Sequence, residues 1–174
     1  MSPFSSAAEG KQNFPGKAEF DVVINIQGDE PFINPQQISQ VAGCFLSEKV
    51  VIGTLVKKIT QQDELINPNV VKVVFDKHYQ ALYFSRQPIP YFRGTEPADW
   101  LKGTIYYKHI GIYGYRTGVL ESITQLPVSP LEKAESLEQL RWLEYGIPIH
   151  VKKTDYESIA IDTPGDLLKI TNIS

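Results

Sequence analysis

The sequence predicts an α/β fold, a mixed β-sheet flanked by helices. Apolar, β-branched runs of strand length alternate with segments whose apolar residues recur at helical spacing. The helical segments open on polar caps followed by proline. Two neighbouring strand-like runs lie close enough to pair as a hairpin, and a long alternating run follows them, so the sheet is not all parallel. The 174 residues suffice for one domain with a sizeable core, and 42% hydrophobic with 21% charged residues is ordinary for a globular chain.

Residues 1–20 are small and polar and carry Pro3, Gly10, Pro15 and Gly16 without a period, so they are expected to be a poorly ordered lead-in to a domain over 21–174. In the stretch Asp21 to Gln27, the residues Val22, Val23, Ile24 and Ile26 predict a strand buried on both faces. It ends at Gly28 and delivers Asp29 and Glu30. Next, Asn34 caps a helix with Pro35 at its first position and Gln37 closing a capping box, and Ile38, Val41, Ala42 and Phe45 form its apolar stripe. Residues 50–59 are a strand, and 69–75 and 80–84 are two more, joined as a hairpin at Asp76-Lys77-His78. Residues 85–103, with three prolines and two glycines, read as loop.

The long strand is 105–116, with Ile110 and Ile112 on one face and His109, Gly111 and Tyr113 on the other. A short helix over 117–126 follows. Ser129-Pro130-Leu131-Glu132 is a second capping box, opening a helix expected to run to Tyr145 before Gly146, with Leu131, Ala134, Leu137 and Leu140 facing the core. Strands at 147–152 and 159–161 precede Asp162, and Thr163-Pro164 starts the last helix.

Several chemistries are absent from this pattern. A net charge of −3 offers no basic footprint for nucleic acid, and no apolar run approaches the ~18 residues of a membrane span. The first residues lack the basic and apolar regions of a signal peptide, so a cytoplasmic protein is expected. Cys44, the sole cysteine, sits in an apolar run and reads as a packed thiol. Neither glycine-rich phosphate loop nor Cys/His zinc cluster is present.

The acids remain. Ligands of open α/β sheets bind beyond the carboxyl ends of strands, where Asp29 and Glu30 form either a metal or phosphate site or a solvated turn. Asp162 also follows an apolar strand and precedes the capping Thr163, so capping does not account for it. Two carboxylates from different strand ends can share a divalent cation; alternatively these are independent turn acids. His109 and Tyr113 flank Gly111, which marks either ligand approach or an aromatic core face. Arg86, fixed before two prolines, can hold a carboxylate bidentately or lie on the surface. Glu138 and Gln139, taken alone, read as a solvated helix face.

Five ordered blocks change the weight of these residues: Asn25 to Pro31, Ala81 to Pro90, His109 to Arg116, Ser136 to Arg141 and Ile161 to Pro164. Together they resemble the 3-deoxy-manno-octulosonate cytidylyltransferase (CMP-Kdo synthetase) family over nearly all of 21–170. The resemblance implies a nucleotide-diphospho-sugar-transferase-like (Rossmann-like) fold and a homodimer. It also implies transfer of CMP from CTP to 3-deoxy-D-manno-octulosonate (Kdo), with pyrophosphate release and Mg2+, on the route to lipopolysaccharide. Carried over, Asp29 and Asp162 are the catalytic Mg2+ ligands and Gln27 lies near the nucleotide. Arg86, His109, Tyr113, Glu138 and Gln139 line the Kdo pocket, with Arg86 on the sugar carboxylate.

The chain departs from that family at its start. Members begin with a βαβ unit whose basic, glycine-containing loop grips CTP, and here about twenty residues precede the first strand. The expectation is a truncated synthetase lacking the first βαβ unit, with the Kdo and metal residues but little or no turnover alone. A CMP-sialic acid synthetase-like enzyme fits the five blocks less well, and a non-catalytic sugar-acid-binding remnant is the reading from another class.

Overall fold

The structure, a computed structural model, describes residues 20–26 and 33–156. The lead-in up to residue 19, Gln27, Asp29, Asp162, the strand at 159–161 and the last helix lie outside the described residues.

Six strands of the described residues form one mixed sheet. They are β1 (Val22–Asn25), β2 (Ile52–Lys58), β3 (Lys72–Phe75), β4 (Ala81–Ser85), β5 (Tyr107–Arg116) and β6 (Ile149–Lys153). The order is β4-β3-β5-β2-β6, with β1 also hydrogen-bonded to β5. β5 is long enough to hold two partners along one edge. Lys108 near its start pairs with Lys72 of β3, and Tyr113 to Arg116 at its end pair with β1. β1 and β2 are both antiparallel to β5, and β6 is parallel to β2, so β1, β2 and β6 run the same way and end at the same side of the sheet.

Helix α1 (Pro35–Cys44) forms as its capping residues dictate. The Asn34 side chain accepts from the Gln36 N–H at 2.9 Å, and the Gln37 side chain accepts from the Asn34 N–H at 3.1 Å. Its inner face is Gln37, Val41 and Cys44, with Ile38 partly buried; Ala42, expected in the stripe, is exposed. Val41, Cys44 and Phe45 pack on Leu55, Ile110 and Ile112, as the alternation along β5 predicts. Burial raises the Cys44 thiol above its usual range, which fits a packed core group rather than a nucleophile.

Gly114 is where helix and sheet approach most closely. A Cβ there would stand 2.5 Å from Phe45 Cε2 and 2.8 Å from Val41 Cγ1. Gly114→Ala is therefore expected to destabilise by about 1–3 kcal/mol through overpacking, read as a lower urea midpoint; an unchanged midpoint would show that α1 is free to lift.

The other face of the sheet carries the larger cluster. Tyr113, Tyr115, Val73 and Phe84 pack with Leu137, Leu140 and Trp142 and with Leu120 and Ile123 of α4 (Thr117–Thr124). The hairpin of β3 and β4 is antiparallel as expected. Asp76 organises its turn, its side chain accepting from the N–H groups of His78 and Gln80, both at 2.8 Å, while Tyr79 takes φ +62°.

Four expectations need correction. β1 is half-buried rather than buried on both faces, because β5 is its sole strand partner among the described residues. Residues 85–103 are not all loop, since α3 (Trp100–Gly103) ends the segment and buries Trp100. A further helix, α2 (Gln62–Ile66), stands where no element was expected.

The fourth is the helix predicted from Pro130 to Tyr145, which is two helices, α5 (Pro130–Glu135) and α6 (Gln139–Glu144). Ser136 takes a left-handed conformation, φ 52° and ψ 47°, and its N–H and that of Leu137 both return to the Glu132 carbonyl. Leu131 and Ala134 are consequently exposed, while Leu137 and Leu140 do face the core. The break turns Glu135 toward the end of β4, where its carboxylate accepts from the Ser85 hydroxyl at 2.7 Å and the Arg86 N–H at 2.9 Å.

Candidate functional site

The face of β5 opposite α1 holds two of the singled-out side chains, His109 and Tyr113. His109 and Tyr113 lie with ring centroids 5.0 Å apart, and Phe84 meets His109 edge-on at 5.3 Å. Trp142 of α6 stands edge-on to Tyr113 and Tyr115, at 5.2 and 5.7 Å. Burial drives the His109 imidazole down to about 3, so it is neutral across the physiological range. Burial first, and then the charge of Glu138, raise Tyr113 well above its ordinary value, so it is a neutral phenol. The Tyr113 hydroxyl is buried with no hydrogen-bond partner among the described residues. Such a group is costly unless something outside that set satisfies it.

A bulge shapes this face. Thr54 pairs with Tyr113, but Leu55 pairs with Ile110, so Gly111 and Ile112 are extra on β5. The displaced Ile112 carbonyl and the His109 ring both meet the Thr54 hydroxyl, at 2.7 and 2.9 Å.

Arg86 occupies a corner between β4 and the α5–α6 break. Its Nε donates to the Glu135 carbonyl at 2.7 Å, Nη1 to the Pro68 carbonyl at 3.0 Å and Nη2 to the Ser136 carbonyl at 3.3 Å. Three of its five N–H groups are thus spent on backbone, which fixes the guanidinium plane and leaves two. Close by, Lys72 is fully buried and donates to the Asn67 carbonyl at 2.9 Å. Burial pulls it down to about 8, with Glu135 opposing and Arg86 reinforcing that shift.

Glu138 and Gln139 start α6, and the reading of both as a solvated face does not hold. Gln139 is buried and Glu138 half-buried. Glu138 Oε1 lies 3.4 Å from Arg141 Nη2, and Arg141 is held more tightly by Glu132. His109, Tyr113 and Glu138 therefore share one neighbourhood, Glu138 being close enough for its charge to act on the Tyr113 phenol, while Arg86 is anchored beyond the end of β4 on the carbonyls of Pro68, Glu135 and Ser136. Gln27, Asp29 and Asp162 lie outside the described residues, among which no group of three His, Cys, Asp or Glu side chains could hold a metal ion. No helix of the described residues is long and apolar enough to cross a membrane.

Thr54, Lys72 and Glu135 were not singled out in the sequence. A hydroxyl in Ile52-Gly-Thr-Leu-Val56 and a lysine in Val70-Val-Lys-Val-Val74 are each lone polar residues in apolar strands, which is the signal they offered. Glu135 offered none, because its role depends on the break after it.

A family model described as cytidylyltransferase matches residues 5–157. A protein of Bacteroides thetaiotaomicron named 3-deoxy-manno-octulosonate cytidylyltransferase is 57% identical over 152 residues, 86% of this chain and 61% of that protein. One of the same name from Parabacteroides distasonis is 54% identical over 154 residues, with the same coverage. A solved structure of CMP:2-keto-3-deoxy-manno-octonic acid synthetase complexed with CTP superposes with a TM-score of 0.84 at 38% identity. That match covers 99% of this chain and 67% of the other. The chain thus spans about three fifths of the length of the curated relatives it matches.

Proposed function

This chain belongs to the cytidylyltransferase family, and we propose that it is part of an enzyme that transfers CMP from CTP to Kdo, releasing pyrophosphate for lipopolysaccharide biosynthesis. Its relatives of 57% and 54% identity carry the name of that activity. The observation that carries the reading to this chain is the state of its polar groups: an Arg86 guanidinium oriented by three carbonyls, and His109 and Tyr113 packed together as neutral rings. A sugar acid needs a cation for its carboxylate and neutral partners for its hydroxyls. Arg86 has two N–H groups to spare on a guanidinium already held by three carbonyls. The neutral imidazole of His109 and the phenol of Tyr113, which has no hydrogen-bond partner among the described residues, suit hydroxyl groups.

In this reading Arg86 holds the Kdo carboxylate, and His109, Tyr113, Glu138 and Gln139 line the rest of the pocket. Gln27 lies near the nucleotide. Asp29 and Asp162 are the residues that would hold Mg2+, and two carboxylates are the hard oxygen donors this ion takes alongside phosphate and water. When bound, Mg2+ neutralises the triphosphate and lowers the pKa of the attacking hydroxyl. For Asp29 the topology lends support: β1, the described strand that precedes it, ends at the same side of the sheet as β2 and β6. Ligands bind beyond such strand ends in α/β sheets. A cytoplasmic homodimer belongs to the same proposal.

Titration calorimetry with Kdo and with sialic acid tests the substrate. Kdo is expected to bind at least tenfold more tightly than sialic acid. Arg86→Lys, which keeps the charge but loses the fork, is expected to weaken Kdo binding about tenfold or more. Equal binding of the two acids, or an Arg86→Lys variant with unchanged affinity, would overturn the assignment. Pyrophosphate release in the presence of CTP, Kdo and Mg2+ separates an enzyme from a binding remnant.

A further inference from the structure

The Thr54 hydroxyl is fully buried and faces three groups: the Ile112 carbonyl at 2.7 Å, the Ile110 carbonyl at 3.3 Å and His109 Nε2 at 2.9 Å. A hydroxyl carries one proton and can accept through its lone pairs. Two oxygens 2.7 Å apart in a buried site need a proton between them, and the Ile112 carbonyl has none to offer. The Thr54 proton is therefore committed to Ile112. Its oxygen can then meet His109 only as an acceptor, so Nε2 must carry the imidazole proton. In a neutral ring the other nitrogen, Nδ1, is left with a lone pair.

We propose that Thr54 is a positioning residue that locks His109 as the Nε2–H tautomer, so that Nδ1 is presented as a hydrogen-bond acceptor for a hydroxyl of the bound sugar acid. This rests on the reading above that His109 lines the Kdo pocket. The neutral state of His109 agrees with it, since a protonated ring would have no acceptor. The bulge supplies the geometry: Gly111 and Ile112 are displaced from the ladder, and the Ile112 carbonyl stands 2.7 Å from the Thr54 hydroxyl to take its proton. A ring whose tautomer is fixed by a buried partner pays no reorganisation on binding, which is the use of such outer contacts around a site.

The test reads the tautomer first and binding second. Nitrogen NMR of the 174-residue chain, with the His109 ring assigned by its loss in His109→Gln, is expected to show a protonated-type Nε2 and a lone-pair-type Nδ1. Thr54→Val removes the hydroxyl at nearly constant volume and is expected to give a mixture of tautomers, and Thr54→Ser is expected to restore the single form. A wild-type ring protonated at Nδ1, or a Thr54→Val ring still wholly Nε2–H, would overturn the proposal. Kdo added to the wild type is expected to shift the Nδ1 signal, and Thr54→Val to bind Kdo about tenfold more weakly, the loss of one neutral hydrogen bond. Should the tautomer be as stated while Kdo leaves Nδ1 and every other site residue untouched, the acceptor role fails and the pocket assignment fails with it; should Kdo bind and shift other site residues but not Nδ1, the acceptor role alone fails. If Thr54→Val does not fold, Thr54→Ser with the wild-type spectrum and a Thr54→Ala mixture serve the same comparison.

Discussion

Glu132→Ala is expected to cost about 3 kcal/mol or more, a large part of what a domain of this size has to lose. The carboxylate serves two structures at once. It closes the capping box of α5 by accepting the Ser129 N–H at 3.2 Å. It also takes Arg141 in a two-point grip, with Nε to Oε2 at 2.7 Å and Nη2 to Oε1 at 2.5 Å. Both side chains are mostly shielded from water, at 13% and 11% exposure. Removing the acid leaves a guanidinium inside with the Leu126 carbonyl and with Glu138 at 3.4 Å, a partial substitute. An unpaired buried charge is the larger part of the penalty, and the lost cap adds about 1 kcal/mol. Replacing both partners, as in E132M/R141M, is therefore expected to cost less than Glu132→Ala alone. A double variant less stable than the single would refute this account.

The same pair sets an acid limit. The hydrogen bonds from Arg141 hold Glu132 below the ordinary carboxylate range. A carboxylate whose folded pKa is depressed contributes stability that is present above its unfolded value, near 4.3, and lost as pH falls through the folded value. Urea midpoints of the wild type are expected to fall on that acid side more steeply than those of Glu132→Ala. The consequence reaches the site, because α5, its break at Ser136 and α6 are held in register by this bridge. Two of the three carbonyls that orient Arg86, those of Glu135 and Ser136, belong to that break.

What was legible in the sequence was local or periodic. The caps at Asn34 and Ser129 follow from residues three apart and formed as read. The two faces of β5 follow from a period of two and survive the bulge, because two extra residues preserve the alternation that one would invert. The helix break was not legible. Pro130 to Tyr145 holds good helix formers, and the break at Ser136 goes with contacts of Glu135 to Ser85 and Arg86 some fifty residues earlier. A propensity argument sees neither partner. The burial of β1 was overstated for a related reason: apolar side chains report what a strand would bury, while its neighbours decide what it does bury. In the site, residue type pointed correctly to the shared face of His109 and Tyr113, yet said nothing of Thr54, whose importance depends on a carbonyl displaced by the bulge.

On the proposed function, asparagine at Asp29 or at Asp162 is expected to lower whatever Mg2+-dependent pyrophosphate release the chain supports by on the order of a thousandfold, since charge neutralisation by the ion is worth several kcal/mol and each 1.4 kcal/mol is a factor of ten. In that reading the reaction is a phosphoryl-type transfer, which depends on positioning and electrostatics, so the two acids matter more than any protein nucleophile. A second readout avoids turnover: Mn2+ relaxation enhancement with CTP present reports whether the ion is held. Outer contacts of metal ligands already cost 10–100-fold in affinity when removed, so losing a ligand itself should cost about a hundredfold or more. If the two acids hold one ion, their effects cannot add, because the first substitution has already released what the second would release. The double variant is then expected to bind Mn2+ no worse than either single one. Additive losses would mean two separate sites, and an Asp162→Asn chain with wild-type Mn2+ affinity would remove Asp162 from the proposed metal site.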